Sequence, residues 1–254
     1  MKLFSILSFI ILVKKLCFRR EYGSLSKAER LDYIKAVKYL QSLPSRSPAS
    51  VVPGARSRYD GFVAAHIQHA LTIHLTGNFL TWHRWPIHEY ERALREECDC
   101  KDYRPPTFAN MTFNLGPGGS VAYNPRRFTR DIGLTHTTRF ANYTSILEGV
   151  PSSTEAVGPH IAAHTTIGGD PGADVFASPG DPAFYVHHEM VDRVWTLRSK
   201  KLGGDEYGNI TWPNTPHSRE TMLSDILDLG YASEPIQIAD VMGTLFGPFY
   251  YFRL

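Results

Sequence analysis

A chain of 254 residues is long enough for one well-buried domain, and no shift in composition divides it into two. Hydrophobic content of 43% and charged content of 20% are ordinary for a globular protein, so neither a disordered chain nor a bundle of membrane spans is expected. A net charge of +2 without a basic stripe gives no footing for nucleic acid, and three cysteines are too few for a disulfide scaffold.

Residues 1–19 open with Lys2 and an apolar run over 3–13. That run falls well short of the roughly 20 residues that span a bilayer, so no stable membrane span is expected. It suits the apolar core of a secretory signal peptide, except that Lys14-Lys15 stands where a small-residue cleavage site should follow; an uncleaved apolar tail is the alternative. Sequons at Asn110, Asn142 and Asn209 are compatible with a secreted glycoprotein. Cys98 and Cys100 are too close for an easy bridge, so Cys17 with either is the only long-range pairing.

Residues 20–254 are expected to form one domain. The spacing predicts a first helix over 24–43, with Ser26 and Glu29 as a capping box and Ala28, Leu31, Ile34, Val37 and Leu40 in one stripe. A Ser/Pro-rich linker over 45–53 leads to a second helix over 59–74, which gathers Phe62, Ala65, His66, His69, Ile73 and His74 toward one side. Gly77-Asn78 interrupts it. A third helix over 82–98 turns Trp82, Trp85, Tyr90, Ala93 and Leu94 inward and leaves the charges of 89–97 solvated. Periodicity is lost over 99–133, a long irregular loop. Short helices are expected over 135–147 and over 221–229, the second ended by Gly230, with loop over 202–217.

Chemistry concentrates in the histidines. His160 and His164 stand four apart, one turn along one helix face. After a loop rich in Gly, Pro and Asp, Asp181-Pro182 supplies an N-cap and a first residue for a helix carrying His187-His188. At about 100° per residue, His188 lies nearer than His187 to the direction shared by Phe184, Val191 and Trp195, and is narrowly favoured as the inward one. Asp192, one turn on, can orient an imidazole. The first half carries His66, His74 and His83 on two successive helices. Singly, each histidine is as readily a core or surface group as a ligand. Two helix pairs presenting three each would bring two metals together inside a four-helix bundle. Six imidazoles without carboxylate or thiolate favour two copper ions over iron or manganese, and three ligands per ion leave positions open for dioxygen. A three-histidine zinc hydrolase would need a separate explanation for each triplet.

The segments HIQHALTIHLTGNFLTWHRWPIHEYERALREEC and HIAAHTTIGGDPGADVFASPGDPAFYVHHEMVDRVW resemble the two copper-binding regions of the tyrosinase and catechol oxidase family, in its fungal secreted branch. The motifs WHR, SPGDPAFY and HHxxxDRVW occur in order, and weaker similarity runs from about Arg20 to the C-terminus. The resemblance implies His66, His74 and His83 on the first copper and His160, His164 and His188 on the second. It implies a mainly α domain around an antiparallel four-helix bundle with long irregular loops. Its activity would be oxidation of phenolic small molecules, o-diphenols to o-quinones with dioxygen, with weak monophenol hydroxylation as an extra. The alternatives are haemocyanin-like dioxygen binding without turnover and an inactive shortened family member.

Four departures or signature positions stand out against that family. The stretch after 92–102 is short by a substantial segment. Tyr39 and Tyr250 occupy positions of cysteines usual in fungal relatives, and Thr72 occupies that of a cysteine that some tyrosinases link to a histidine. Ile161, directly after His160, stands where some hydroxylating relatives hold a water through a polar side chain; an isoleucine cannot do so, and plain core filling is its competing role.

Overall fold

The computed structural model describes residues 17–98, 111–134, 158–201, 219–245 and 247–253. The helix expected over 135–147, the loop over 202–217, the asparagines of the three sequons and residues 1–16 lie outside them. Six α-helices are present among the described residues: α1 (Lys27–Ser42), α2 (Arg58–Ile73), α3 (Phe79–Glu96), α4 (Pro159–Ile167), α5 (Ala183–Lys201) and the short α6 (Ile238–Val241). Strands are short and paired in twos: β1 (Cys17–Arg19) with β6 (Tyr251–Arg253) in parallel, β2 (Thr112–Phe113) with β3 (Arg126–Arg127), and β4 (Ile226–Leu227) with β5 (Ile236–Gln237), both antiparallel. The chain is mainly α, and α2, α3, α4 and α5 form the four-helix bundle.

Local sequence accounts for most helix ends. Ser26 Oγ accepts from the Glu29 N–H at 3.3 Å, and the Glu29 carboxylate accepts from the Ser26 N–H at 2.8 Å, which is the expected capping box. Ser57 and Asp60 repeat the device at α2, where the Asp60 carboxylate also takes the Asn114 amide at 3.0 Å. α2 is the central helix, burying Tyr59, Phe62, Val63, Ala64, Ala65, Ile67, Ala70 and Ile73. It ends earlier than Gly77. Leu75 takes the left-handed conformation at φ 57, so the chain turns immediately after His74, the C-cap residue. α3 in turn begins at Phe79 rather than Trp82, with the Trp82 N–H already bonded to the Asn78 carbonyl at 2.8 Å.

The charged run of α3 is not uniformly solvated. Glu91 pairs with Arg95 at 2.6 Å on the surface, but Glu89 is buried and held by Arg92. The helix expected over 221–229 is absent, because residues 221–225 form a turn and Ile226–Leu227 is a strand. Asp225 closes that turn by accepting from the Met222 N–H at 2.8 Å, while its own carbonyl accepts from Ile238 across the hairpin. Leu227 and Leu229 are buried while Ile226 and Asp228 face out, a period of two that won over the helical pattern. Cys98 is disulfide-bonded. No helix among the described residues is long and apolar enough to cross a membrane.

Candidate metal centre

Two groups of histidines face each other inside the bundle. His66 sits on α2, His74 at its cap and His83 on α3, with ring centroids 5.1 to 5.5 Å apart. His160 and His164 sit on α4 and His188 on α5, at 4.9 to 5.4 Å. Ligand atoms within each group lie within 4.8 Å of one another, and His187 falls inside the second group. The groups share one pocket: the rings of His83 and His188 stack at 4.4 Å and 10°, and those of His74 and His160 are 6.3 Å apart. Phe184 packs 4.1 Å from His188 and 5.2 Å from His66, and Phe79 packs 4.6 Å from His83 and 4.8 Å from His160. Each of these two rings therefore contacts a histidine of both groups.

Backbone carbonyls fix the ring orientations. His66 Nδ1 donates to the Phe176 carbonyl at 2.7 Å, His74 Nδ1 to Ala70 at 2.8 Å, and His83 Nδ1 to Phe79 at 2.8 Å. A carbonyl can only accept, so in each ring Nδ1 carries the proton and Nε2 presents its lone pair. His164 Nδ1 reaches Gly172 at a longer 3.3 Å, and its Nε2 stands 3.3 Å from Nε2 of His188. Nε2 of His66, His83 and His160 is buried without a partner among the described residues. Each such orphan costs about 1–3 kcal/mol unless something electrophilic sits between them. Burial also keeps the rings neutral: it lowers His66 to about 3, helped by the neighbouring His74, and pushes His83 and His188 well below the usual histidine range. Converging neutral imidazole lone pairs, with no thiolate and no carboxylate among them, are the donor set that copper takes. The two groups fit two such ions, one to each group.

Other residues lie around or beyond the two groups. The Asp192 carboxylate accepts from Arg84 Nε at 2.6 Å and from the Tyr251 hydroxyl at 3.0 Å. Phe176 is partly buried against the core and serves the site through its carbonyl. Ile161 is 44% exposed, which removes core filling as its role. His69 and His88 lie outside the two groups, His69 tilted at 47° to Trp82 at 6.0 Å and His88 stacked on Trp85 at 5.6 Å. Thr72 has no sulfur with which to form a thioether, and its hydroxyl donates to the His69 carbonyl at 2.9 Å.

The loop joining α4 to α5 depends on two glycines no spacing argument had marked. Gly168 and Gly169 hold φ 58 and 68, and a Cβ on them would lie 2.2 Å from the Asp131 carbonyl oxygen and 2.4 Å from that of Thr129. The strip over 129–133 therefore packs flat on the end of α4, bonding Asp131 N–H to Ile167 and Gly133 N–H to Thr166. Gly168→Ala is expected to destabilise the protein by about 1–3 kcal/mol in urea unfolding. Gly118→Ala, at φ 58 with nothing within 4 Å, is the control that isolates the conformational part. Equal costs would show that the close approach contributes nothing.

A helical bundle that buries two facing triads of neutral imidazoles defines a dinuclear copper oxidase. The comparisons agree. The family model "common central domain of tyrosinase" matches residues 56–113 and 106–201. A tyrosinase-like protein, orsC, of Emericella nidulans is 32% identical over 272 residues, spanning 72% of this chain and 73% of its own length. Tyrosinase P of Aspergillus terreus is 29% identical across 92% of this chain and 90% of its own. Among solved structures, a polyphenol oxidase variant from Thermothelomyces thermophila superposes with a TM-score of 0.81 and 39% identity, over 94% of this chain and 89% of that one. The chain belongs to the tyrosinase family, as a copper-dependent oxidoreductase acting on phenols. Its alignment with tyrosinase P runs to 329 positions, more than the chain's own 254, so that relative carries stretches with no counterpart here.

Proposed function

We propose that the protein oxidises o-diphenols to o-quinones, reducing dioxygen to water, with His66, His74 and His83 holding one copper and His160, His164 and His188 the other. The contact between His83 and His188, at 4.4 Å across the two triads, is the observation that carries this reading. Bound copper supplies a pair of one-electron centres, so two catechols give four electrons to one dioxygen and two waters result. The chain's part is placement. Phe184, which is buried, and Phe79 each pack against histidines of both triads, so the rings shield the imidazoles from water. His74 and His160 are the more open of the stacked pairs, so a phenol enters on their side.

Ile161 supports diphenols over monophenols. It follows His160 directly, is exposed, and has no group that could hold a water to take a phenol's proton. On the copper-loaded chain, 4-methylcatechol is expected to be oxidised without a lag, with p-cresol slower by at least about a hundredfold, the range a missing proton acceptor costs. Comparable initial rates without a lag would overturn that preference. Copper analysis of the full chain tests the site itself: two ions per chain are expected, and none on folded protein would sink the oxidase reading. The apolar run over 3–13 and the three sequons support a secreted, glycosylated protein, to be checked by locating it in culture medium and by its mass shift on deglycosylation.

A further inference from the structure

The two triads are not supported alike. In the first, every ring has its Nδ1 tied to a carbonyl at 2.7 or 2.8 Å. In the second, only His164 has such a bond, at 3.3 Å, while His188 Nδ1 is buried without a partner and His160 Nδ1 bonds none of the described residues. The helix that carries His160 and His164 is also weakly seated: α4 has nine residues and buries only Ala162. A ligand ring that lacks its own tether must be held by something else if three nitrogens are to meet on one ion.

His187 fills that need. Its Nε2–H donates to the backbone carbonyl of His160 at 3.0 Å, bridging α5 to the first turn of α4. Its ring lies parallel to that of His160 at 5.6 Å and 15°, and edge-on to that of His164 at 5.0 Å and 90°. With Nε2 committed to a carbonyl, His187 presents no Nε2 lone pair to the pocket, in contrast to His66, His83 and His160. Resting on the dicopper reading above, we propose that His187 is a positioning residue for the second copper: it locks α4 against α5 and sets the planes of His160 and His164.

Two substitutions separate this from the other possible roles. His187→Phe keeps an aromatic ring beside His160 but removes the N–H donor; His187→Gln removes the ring but keeps an amide N–H at a similar reach. Copper binding by the full chain is followed by titration with metal analysis, and the metal-free proteins are compared by thermal unfolding. In His187→Phe, one of the two coppers is expected to bind about 10–100-fold more weakly, the cost of losing a residue that supports a ligand, with the other unchanged. His187→Gln is expected to recover most of that loss. Two coppers bound with unaltered affinity in His187→Phe would overturn the proposal. So would a His187→Gln as weak as His187→Phe, which would make the imidazole itself a ligand, or a loss explained by a matching fall in the unfolding temperature of metal-free His187→Phe. A wild-type chain that takes up fewer than two coppers would instead sink the underlying dicopper reading, so the two failures are told apart.

Discussion

His188→Ala is expected to leave the protein with one copper per chain and to lower o-diphenol oxidation by more than the roughly 10–100-fold that loss of a mere supporting residue costs. His188 is 1% exposed, with its Nε2 3.3 Å from that of His164 and its ring against His83 of the opposite triad. It therefore stands at the junction of both groups rather than at the edge of one. Two bound coppers would supply paired one-electron centres for dioxygen, and a chain able to hold only one would lack that pair, so His188→Ala should lose turnover rather than merely slow it. Metal analysis and oxygen uptake with 4-methylcatechol check this together. His69→Ala is the control, since its ring lies outside the two groups against Trp82, and it should leave both readouts within about twofold. A His188→Ala protein that retains two coppers and turns over catechol would remove His188 from the site and return His187 to contention, because His187 lies within the same 4.8 Å cluster.

How much of this could be read from the chain depends on the range of the interaction involved. The capping box at Ser26 and Glu29, the cap at Asp181 and the inward stripe of α3 are local, set by residues within a turn of each other, and were legible. Asp181 receives the Ala183 N–H at 2.8 Å as its place before Pro182 implies. The histidine spacings were legible too, since i and i+4 on one helix fix a shared face wherever the helix lies. What spacing could not supply was the partner of a side chain. Asp192 stands one turn from His188, yet its bonds go to Arg84, 108 residues earlier, and to Tyr251, 59 later. The backbone carbonyls that orient His66 and His164 come from Phe176 and Gly172 in the loop before α5, where nothing in the residue types announces them. The strand at Ile226–Leu227 was missed for a related reason. Its apolar residues fit a helix as well as a strand over so short a stretch, and the pairing with Ile236–Gln237 decided between them.

Asp192→Ala is expected to cost about 3–5 kcal/mol of stability in urea unfolding, enough to threaten the fold of an ordinary domain. The reason lies with the partner left behind. Arg84 is 1% exposed and Asp192 3%, and the guanidinium spends its donors on Asp192 at 2.6 Å, on the carbonyls of Val241 and Met242 at 2.9 and 2.7 Å, and on the Thr196 hydroxyl at 3.2 Å. It also lies 3.8 Å over the ring of Trp195. Removing the carboxylate takes away the one negative charge that, among the described residues, directly contacts this buried cation, and it also removes the acceptor 3.0 Å from the Tyr251 hydroxyl of β6. The paired replacement Arg84→Met with Asp192→Leu removes both charges and should recover at least half of the loss, since a buried ion pair is worth little against well-packed apolar residues of similar size. If Asp192→Ala costs under about 1 kcal/mol, water reaches Arg84 and the pair is not sealed. The same network explains why its damage would reach the copper site: Arg84 follows His83 directly and Asp192 lies one turn beyond His188, so the ion pair clamps α3 to α5 behind the two rings that stack across the triads. Unfolding followed with and without copper should then show a larger metal-dependent stabilisation in the wild type than in Asp192→Ala, because only the clamped helices present both triads at once.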